Sequence, residues 1–392
     1  MYKIQTLNKI SPIGLERFSR SDYEVASSIA DADAILVRSA EMHGMTLPET
    51  VKAVARAGAG VNNIPISELT ERGIVVFNTP GANANAVKEL ALLSLLVASR
   101  PVIAAHAWIV AQADKGEDIP DVAEKGKSQF VGPELKGKTL GVIGLGAIGA
   151  MVANMAVALG MHVVGYDPFI SVASAWRLDT TVKNSETLDT LLKDADYLTI
   201  HMPQTDETKG FINAEKLAAM KSGVRIINLS RGGLVNNRDM LKALDSGKVA
   251  CFVSDFATAE LLTHPKVLCF PHLGASTPEA EDNCAVMAIN ELRDFLERGV
   301  IVNAVNFPKC VTDNAIPVHG TRLCISHRNI PGMVSQFTTT LSEANLNIAS
   351  LINNNKGDVA YTLIDVDSIV AEQALRKLAV IDGVLKVRPL FG

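Results

Sequence analysis

Leu140–Asp167 reads LGVIGLGAIGAMVANMAVALGMHVVGYD, and no other segment constrains the chain as tightly. The apolar run Leu140–Ile143 reads as a buried strand. Gly144, Gly146 and Gly149 follow in G-x-G-x-x-G spacing, then a helical pattern over Ala150–Leu159, then a second apolar strand, Val163–Tyr166, closing on Asp167. Each glycine has a separate physical task. The first makes a tight turn, the second lets backbone approach a pyrophosphate, and the third lets helix pack against strand. The helix N-terminus offers unpaired N–H groups and partial positive charge to phosphates. Asp167 stands about 20 residues on, where a carboxylate can hold a ribose 2′-hydroxyl. It would repel a 2′-phosphate, and Pro168–Ile170 bring no cation, so the predicted cofactor is NAD rather than NADP.

Composition agrees with a soluble globular chain of two or three domains. It has 392 residues, 48% hydrophobic and 20% charged. A net charge of −5 argues against a nucleic-acid partner. The five cysteines (Cys251, Cys269, Cys284, Cys310, Cys324) form no C-x-x-C and read as reduced core residues of a cytoplasmic protein. No metal-ligand spacing appears. The N-terminus has no signal-like apolar region, and Lys88 and Glu89 interrupt the apolar segment Ala84–Ala98, which reads as a buried helix rather than a membrane span.

Working outward, residues 1–98 have a strand–helix rhythm of their own, with strands at Tyr2–Gln5, Ala34–Val37 and Gly73–Phe77. Arg38 and Ser39, Gly58–Asn63 and Thr79–Asn83 follow strands, where open α/β sheets meet ligands. Asp114–Lys127 reads as a polar surface loop. Beyond the glycine motif, strands are predicted at Tyr197–His201, Arg225–Leu229, Cys251–Asp255 and Val267–Phe270, which makes six for a doubly wound sheet. Pro278–Arg298 reads as one long helix returning to the first domain. The predicted boundaries are therefore 1–98 and 283–308 for a discontinuous flavodoxin-like domain, 99–282 for a Rossmann domain and 309–320 for a linker. Residues 321–392 form a separate ferredoxin-like unit in the order βαββαβ. An RNA-binding module of that topology would display stacking aromatics on its central strands, and the only aromatic there is Tyr361.

Three further strand-end segments carry chemistry: LSRGGLVN with Arg231, SDFATAE with Asp255 and Glu260, and PHLGAST with His272. Oxidation of a secondary alcohol by hydride transfer needs a base for the hydroxyl proton, and imidazole titrates in the useful range. It needs a cation for an adjacent carboxylate, which guanidinium grips with two parallel bonds. A carboxylate behind the imidazole would set its tautomer. Taken singly, each residue reads equally well as a surface charge or a structural histidine. Together, downstream of a dinucleotide motif, they point to a dehydrogenase.

Over roughly residues 1–308 the chain resembles the D-isomer-specific 2-hydroxyacid dehydrogenase family, through GLGAIG, Asp167, His201-Met-Pro203, LSRGGLVN and PHLGAST. The resemblance implies that Arg231 binds the substrate carboxylate, that His272 is the acid/base and that Glu260 orients it. It also implies that Asp255 meets the nicotinamide carboxamide. Pro203, Ala147, Ile148, Leu229, Ser230, Leu273, Gly274 and Ala275 would line the cofactor with the glycines. In the family the segment corresponding to SDFATAE often reads D-V-F-x-x-E-P. Here the acid-to-acid spacing is kept, but Leu261 stands where the proline would be, which loosens the assignment of Glu260.

The last 72 residues resemble the ACT regulatory domain, through His327-Arg-Asn-Ile-Pro-Gly332 and Asn345-Leu-Asn-Ile-Ala349. That likeness implies amino-acid effector contacts at His327, Asn329 and Asn347. By residue type alone the two asparagines read equally well as cap or turn residues. Family members with such a unit act on D-3-phosphoglycerate, and VRSA, ARAGAGVNNI and FNTPGANANAVKELAL resemble them. Substrate contacts are then implied at Arg38, Ser39 and Asn83, and less directly at Gly60, Val61 and Lys88. The expected product is 3-phosphooxypyruvate, the first step toward L-serine, with serine as the effector. The expected assembly is a homo-oligomer, dimer or tetramer. Residues 307–320 are too short for the additional domain of the longer members. The alternatives are a related dehydrogenase for glyoxylate, hydroxypyruvate or D-lactate, and an NAD-sensing corepressor-like protein.

Overall fold

Five parallel strands open the chain: β1 (Tyr2–Thr6), β2 (Tyr23–Ala26), β3 (Ala34–Val37), β4 (Ala53–Arg56) and β5 (Val75–Phe77). Their order is β2-β1-β3-β4-β5, the flavodoxin-type arrangement. Strands β3 and β5 are fully buried apolar runs, and β4 is one up to Arg56. On one face lies the helix Pro278–Arg298, which buries Ala285, Ile289, Leu292 and Leu296 against Ile4, Leu36 and Phe77.

Seven parallel strands form a second sheet: β6 (Thr139–Ile143), β7 (His162–Tyr166), β8 (Lys183–Asn184), β9 (Tyr197–Ile200), β10 (Val224–Asn228), β11 (Val249–Ser254) and β12 (Val267–Cys269). The order is β12-β11-β10-β9-β6-β7-β8. It is a dinucleotide-fold order with one strand added, and it reverses between β6 and β9. The predicted six strands are present. The seventh, β8, is two exposed residues, too short to carry a periodic signal.

The chain ends in an antiparallel sheet of β13 (Thr321–Arg328), β14 (Ile348–Lys356), β15 (Val359–Val366) and β16 (Val384–Phe391), ordered β14-β15-β13-β16. Helices Met333–Glu343 and Glu372–Ala379 cover one face through Phe337, Leu341 and Leu378. The βαββαβ order is the predicted one.

The computed structural model describes residues 1–392 and divides into two units: Met1–Asn83 with Pro278–Gly392, and Ala84–Thr277. Three features depart from the sequence reading. The helix Ala84–Ser99 belongs with the seven-stranded sheet, because Val87, Ala91 and Leu95 pack on Leu145 and Val152. The chain returns at Pro278 rather than at residue 283. The C-terminal sheet shares a core with the first segment instead of standing alone. Its second face meets the Pro278–Arg298 helix, with Tyr361 donating to the Gly299 carbonyl (2.9 Å) and Arg388 to those of Leu296 (2.8 Å) and Phe295 (2.6 Å). Tyr361 is thus buried and offers no stacking platform for RNA.

The predicted loop Asp114–Lys127 is helical, as a 3-10 turn over Ala113–Asp118 and an α-helix over Ile119–Gly126. Pro120 sits in its first turn, where the missing N–H costs nothing. Glu124 and Lys127 pair on its exposed face. Of the cysteines, Cys284, Cys310 and Cys324 are buried, Cys251 and Cys269 are half-buried, and all are unpaired. No single helix is long and apolar enough to cross a membrane.

Candidate functional site

In the unit Ala84–Thr277 the strands are parallel, so every loop leaving a carboxyl end opens on one edge. Read along the sheet from β12 to β7, that edge carries His272, Asp255, Arg231, His201, the glycine turn and Asp167. The topology gathers six separated motifs into one row, with the glycine turn at the point where strand order reverses.

The glycines do what their spacing requires. Gly144 has φ +87°, and a Cβ there would lie 2.6 Å from the His201 carbonyl oxygen. A Cβ at Gly149 would lie 1.9 Å from the Gly144 carbonyl oxygen, so the helix Ala147–Ala158 can start only with hydrogen at this position. At Gly146 nothing lies within 4 Å of the equivalent point. That opening, in front of a helix N-terminus, is the cradle a pyrophosphate requires. Ala147 is exposed and Ile148 half-buried beside it. The Asp167 carboxylate accepts from the Leu145 N–H (2.8 Å) and the Phe169 N–H (2.9 Å). It braces the turn and keeps lone pairs for hydroxyl donors. These residues fit an NAD-type dinucleotide.

His201 opens the His201-Met-Pro203 motif on this edge, and the sequence reading gave it no role of its own. Its Nε2 pairs with the Thr199 hydroxyl (2.9 Å), while Nδ1 is buried without a partner. Burial pushes the imidazole down to about 4, so it is neutral at physiological pH. Pro203, two residues on, is exposed.

Arg231 and His272 are both exposed at the same edge. Asn228 shapes the arginine loop, donating to the Arg231 carbonyl (2.8 Å) and accepting from the Ser230 N–H (3.2 Å). The Ser230 hydroxyl donates to the Ile200 carbonyl (2.6 Å). Leu229 is buried beneath the loop. His272 sits at φ +56°, a left-handed conformation uncommon for a residue with a Cβ. Asp255 imposes it. Its buried carboxylate accepts from the N–H groups of Leu273 and Gly274, each at 2.7 Å, and its carbonyl accepts from His272 N–H (3.1 Å). With both carboxylate oxygens committed, Asp255 is a brace for the histidine loop. The Phe256 ring lies 5.0 Å from the His272 ring and packs beside Gly232, so one aromatic side chain separates the arginine and histidine loops. Ala275 is half-buried below them.

Glu260 departs from the pattern. It is exposed on the short helix Ala259–Leu262, capped by Thr258, and makes no side-chain hydrogen bond to His272. It lines a cleft of about 910 Å³ with Lys209, Arg238 and Lys242. Lys88, in the same unit, is engaged by Asn85 (2.5 Å).

In the other unit, the loops after β3, β4 and β5 leave adjacent strands on one edge. They carry Arg38 and Ser39, Gly60 and Val61, and Asn83. The N–H groups of Arg38, Ser39 and Ala40 all donate to Asn8 Oδ1 at 2.8–3.2 Å, which fixes the turn. Arg38 pairs with Glu281 at 2.6 Å. The Gly60 carbonyl accepts from Arg56, and Val61 packs on the β3–β5 core. Asn83 Oδ1 is buried with no partner. In the C-terminal sheet, His327 is buried with both ring nitrogens engaged, by the Arg328 carbonyl and the Thr362 hydroxyl at 2.8 Å each. Asn329 donates to the Gly357 carbonyl (3.0 Å) and Asn347 to Asp367 (2.9 Å). His327 is therefore a satisfied core histidine rather than a free ligand contact.

Comparison with known proteins agrees with this geometry. Residues 92–274 match the family described as "D-isomer specific 2-hydroxyacid dehydrogenase, NAD binding domain". The chain is 36% identical over 334 residues to D-3-phosphoglycerate dehydrogenase of Bacillus subtilis (strain 168), covering 80% of this chain and 60% of that protein. It thus spans about three-fifths or less of the curated relatives it matches. Among solved structures it is similar to a glyoxylate reductase from Paecilomyes thermophila (TM-score 0.64, 26% identity, 78% of this chain and 98% of that one). It is also similar to the NAD+-bound 3-phosphoglycerate dehydrogenase of Entamoeba histolytica (TM-score 0.61, 26% identity, 78% and 98%). Residues 92–274 are thus similar to the D-isomer specific 2-hydroxyacid dehydrogenase NAD-binding domain in sequence, and the strand-end motifs lie within that match.

Proposed function

We propose that this chain oxidises D-3-phosphoglycerate to 3-phosphooxypyruvate with NAD, in the cytoplasm and as a homo-oligomer. The observation that carries the reading is the single sheet edge that presents the glycine turn, Arg231 and a braced His272 together. The relatives named for this activity support the choice of substrate.

Bound NAD supplies the hydride acceptor. Gly146 and the following helix N-terminus would hold its pyrophosphate, and Asp167 would take the ribose hydroxyls. Arg231 grips the substrate carboxylate with two parallel hydrogen bonds, which orients the neighbouring C2. His272 Nε2 or Nδ1 takes the C2 hydroxyl proton as C2 loses its hydride, and the proton then leaves to solvent. For the phosphate, the first segment offers donors: the Arg38 guanidinium, the Ser39 hydroxyl, the Asn83 side-chain N–H group and the backbone at Gly60 and Val61. Glu260 orients His272 only if its helix moves, so the histidine is positioned first by Asp255. The test is turnover with NAD of D-3-phosphoglycerate against D-lactate, with glyoxylate and NADH as the reverse reaction. A preference for an unphosphorylated acid rejects this substrate.

We infer also that residues 321–392 are an ACT-type regulatory unit that takes serine. The supporting features are the βαββαβ order and the turn at Gly332 (φ +84°), which opens the helix Met333–Glu343. Asn329 and Asn347 are exposed beside it, and a partner copy would complete the site. Serine then lowers the turnover rate and raises the melting temperature. If neither changes at millimolar serine, the regulatory half of the reading is wrong.

A further inference from the structure

One cavity, which touches the strand-end segment Thr79–Asn83 only through Gly81 and Ala82, is lined by a carboxyl group left half unpaired. It lies within the unit Met1–Asn83 plus Pro278–Gly392 and holds about 500 Å³. Its walls include Glu291, Asp294, Asn283, Asn290, Asn303 and Met287. Glu291 is 5% exposed. Its Oε1 accepts from the Asn303 amide (2.7 Å), and its Oε2 has no hydrogen-bond partner. A buried carboxyl oxygen without a partner is costly in either protonation state, and such a group marks a place where a ligand can engage it.

The wall chemistry limits what that is. Two carboxyl groups and three side-chain amides line the cavity, and no Lys, Arg or His does. Asp294 has Arg298 at 3.8 Å on a half-exposed surface, a weak engagement that leaves its charge facing the cavity. An anion would meet only acids. No group of three or more His, Cys, Asp or Glu side chains suited to a metal ion exists in the chain. Met287 and Val286 offer apolar surface to a short alkyl stem. We propose that this cavity binds a small primary ammonium compound, whose N–H donors are taken by the Glu291 and Asp294 carboxylates and the amide oxygens beside them.

The titration of the site supports this. Burial pushes the Glu291 carboxyl up to about 8, with the Asp294 charge adding to the shift and the Asn303 amide opposing it. Asp294, three residues on along the same helix, is the one charged group that acts on it. Glu291 is therefore neutral near pH 7 without ligand, and an ammonium group binds its ionised form. A proton must leave on binding. Affinity accordingly rises about tenfold per pH unit from about pH 6 to about pH 8, then levels off.

Calorimetric titration of the full chain with n-propylammonium chloride tests the site without reference to any dehydrogenase activity. Glu291→Gln keeps the Asn303 contact and the side-chain volume but removes the charge. It weakens binding at about pH 8 by about tenfold or more and abolishes the pH slope. Asp294→Asn weakens binding but keeps the slope. Tetramethylammonium, which has no N–H, binds no more than weakly. The proposal is overturned if propylammonium gives no binding signal, if Glu291→Gln binds it as wild type does, or if tetramethylammonium binds equally well.

Discussion

His272→Ala lowers kcat for oxidation of D-3-phosphoglycerate by about 10²–10⁴-fold, the range typical of losing a general base. The affinity for NAD, read by NADH-fluorescence competition, stays within about threefold, because the pyrophosphate cradle and Asp167 lie on other strands. The fold survives the change. The left-handed turn at residue 272 is imposed by Asp255 through the N–H groups of Leu273 and Gly274, not by the imidazole. Alanine carries the same backbone strain as histidine there, so the melting temperature moves little. Asp255→Ala is the informative companion. It leaves the imidazole present but frees its loop, so kcat falls although the base remains. Wild-type kcat in His272→Ala would remove the histidine from the mechanism.

The second large effect is on stability. Asp365→Ala destabilises the C-terminal sheet by about 3–5 kcal/mol, the cost of stranding a buried charge. Arg322 and Asp365 face each other across β13 and β15 and are joined at 2.6 and 2.8 Å. The Arg322 side chain is fully buried. Its remaining donors reach the carbonyls of Arg298 (3.1 Å) and Asn314 (3.0 Å), so one guanidinium ties the sheet to the end of the long helix and to the segment after it. Tryptophan fluorescence will miss this unfolding, since Trp108 and Trp176 lie in the other unit. Hydrogen exchange of the β13 and β15 amides reads it directly. The paired replacement Arg322→Met with Asp365→Leu removes both charges and is less destabilised than Asp365→Ala alone. Unchanged exchange in Asp365→Ala would show that the pair holds nothing together.

What was legible in the sequence was local. The turn at Gly144–Gly149 and Asp167 follows from backbone sterics within a few residues. The long helix Pro278–Arg298 follows from apolar spacing, and its predicted ends coincide with the observed ones. Parallel order then brought Arg231 and His272 to the same edge without further information. What stayed hidden depends on partners distant in sequence. Arg322, Asp365 and Glu291 look like surface charges until the fold buries them. His327 looked like a ligand contact because its neighbours Pro331 and Gly332 resemble a binding turn, yet the alternation of β13 points it inward beneath Phe337. Ala84–Ser99 was placed with the segment before it because nothing in its composition says which sheet its apolar face will meet. The missing proline after Glu260 was visible in the sequence, but the placement of its carboxylate in a cleft with Lys209, Arg238 and Lys242 was not.

The central claim is tested most directly by mixing the full chain with NAD and D-3-phosphoglycerate and following absorbance of NADH. The account predicts NADH formation that is lost in His272→Ala, with D-lactate giving at least about tenfold lower kcat/KM, as expected when a site built for a charged group is left unpaired. No NADH from phosphoglycerate, with NADH consumed on adding glyoxylate, would contradict the assigned substrate while leaving the dinucleotide site intact.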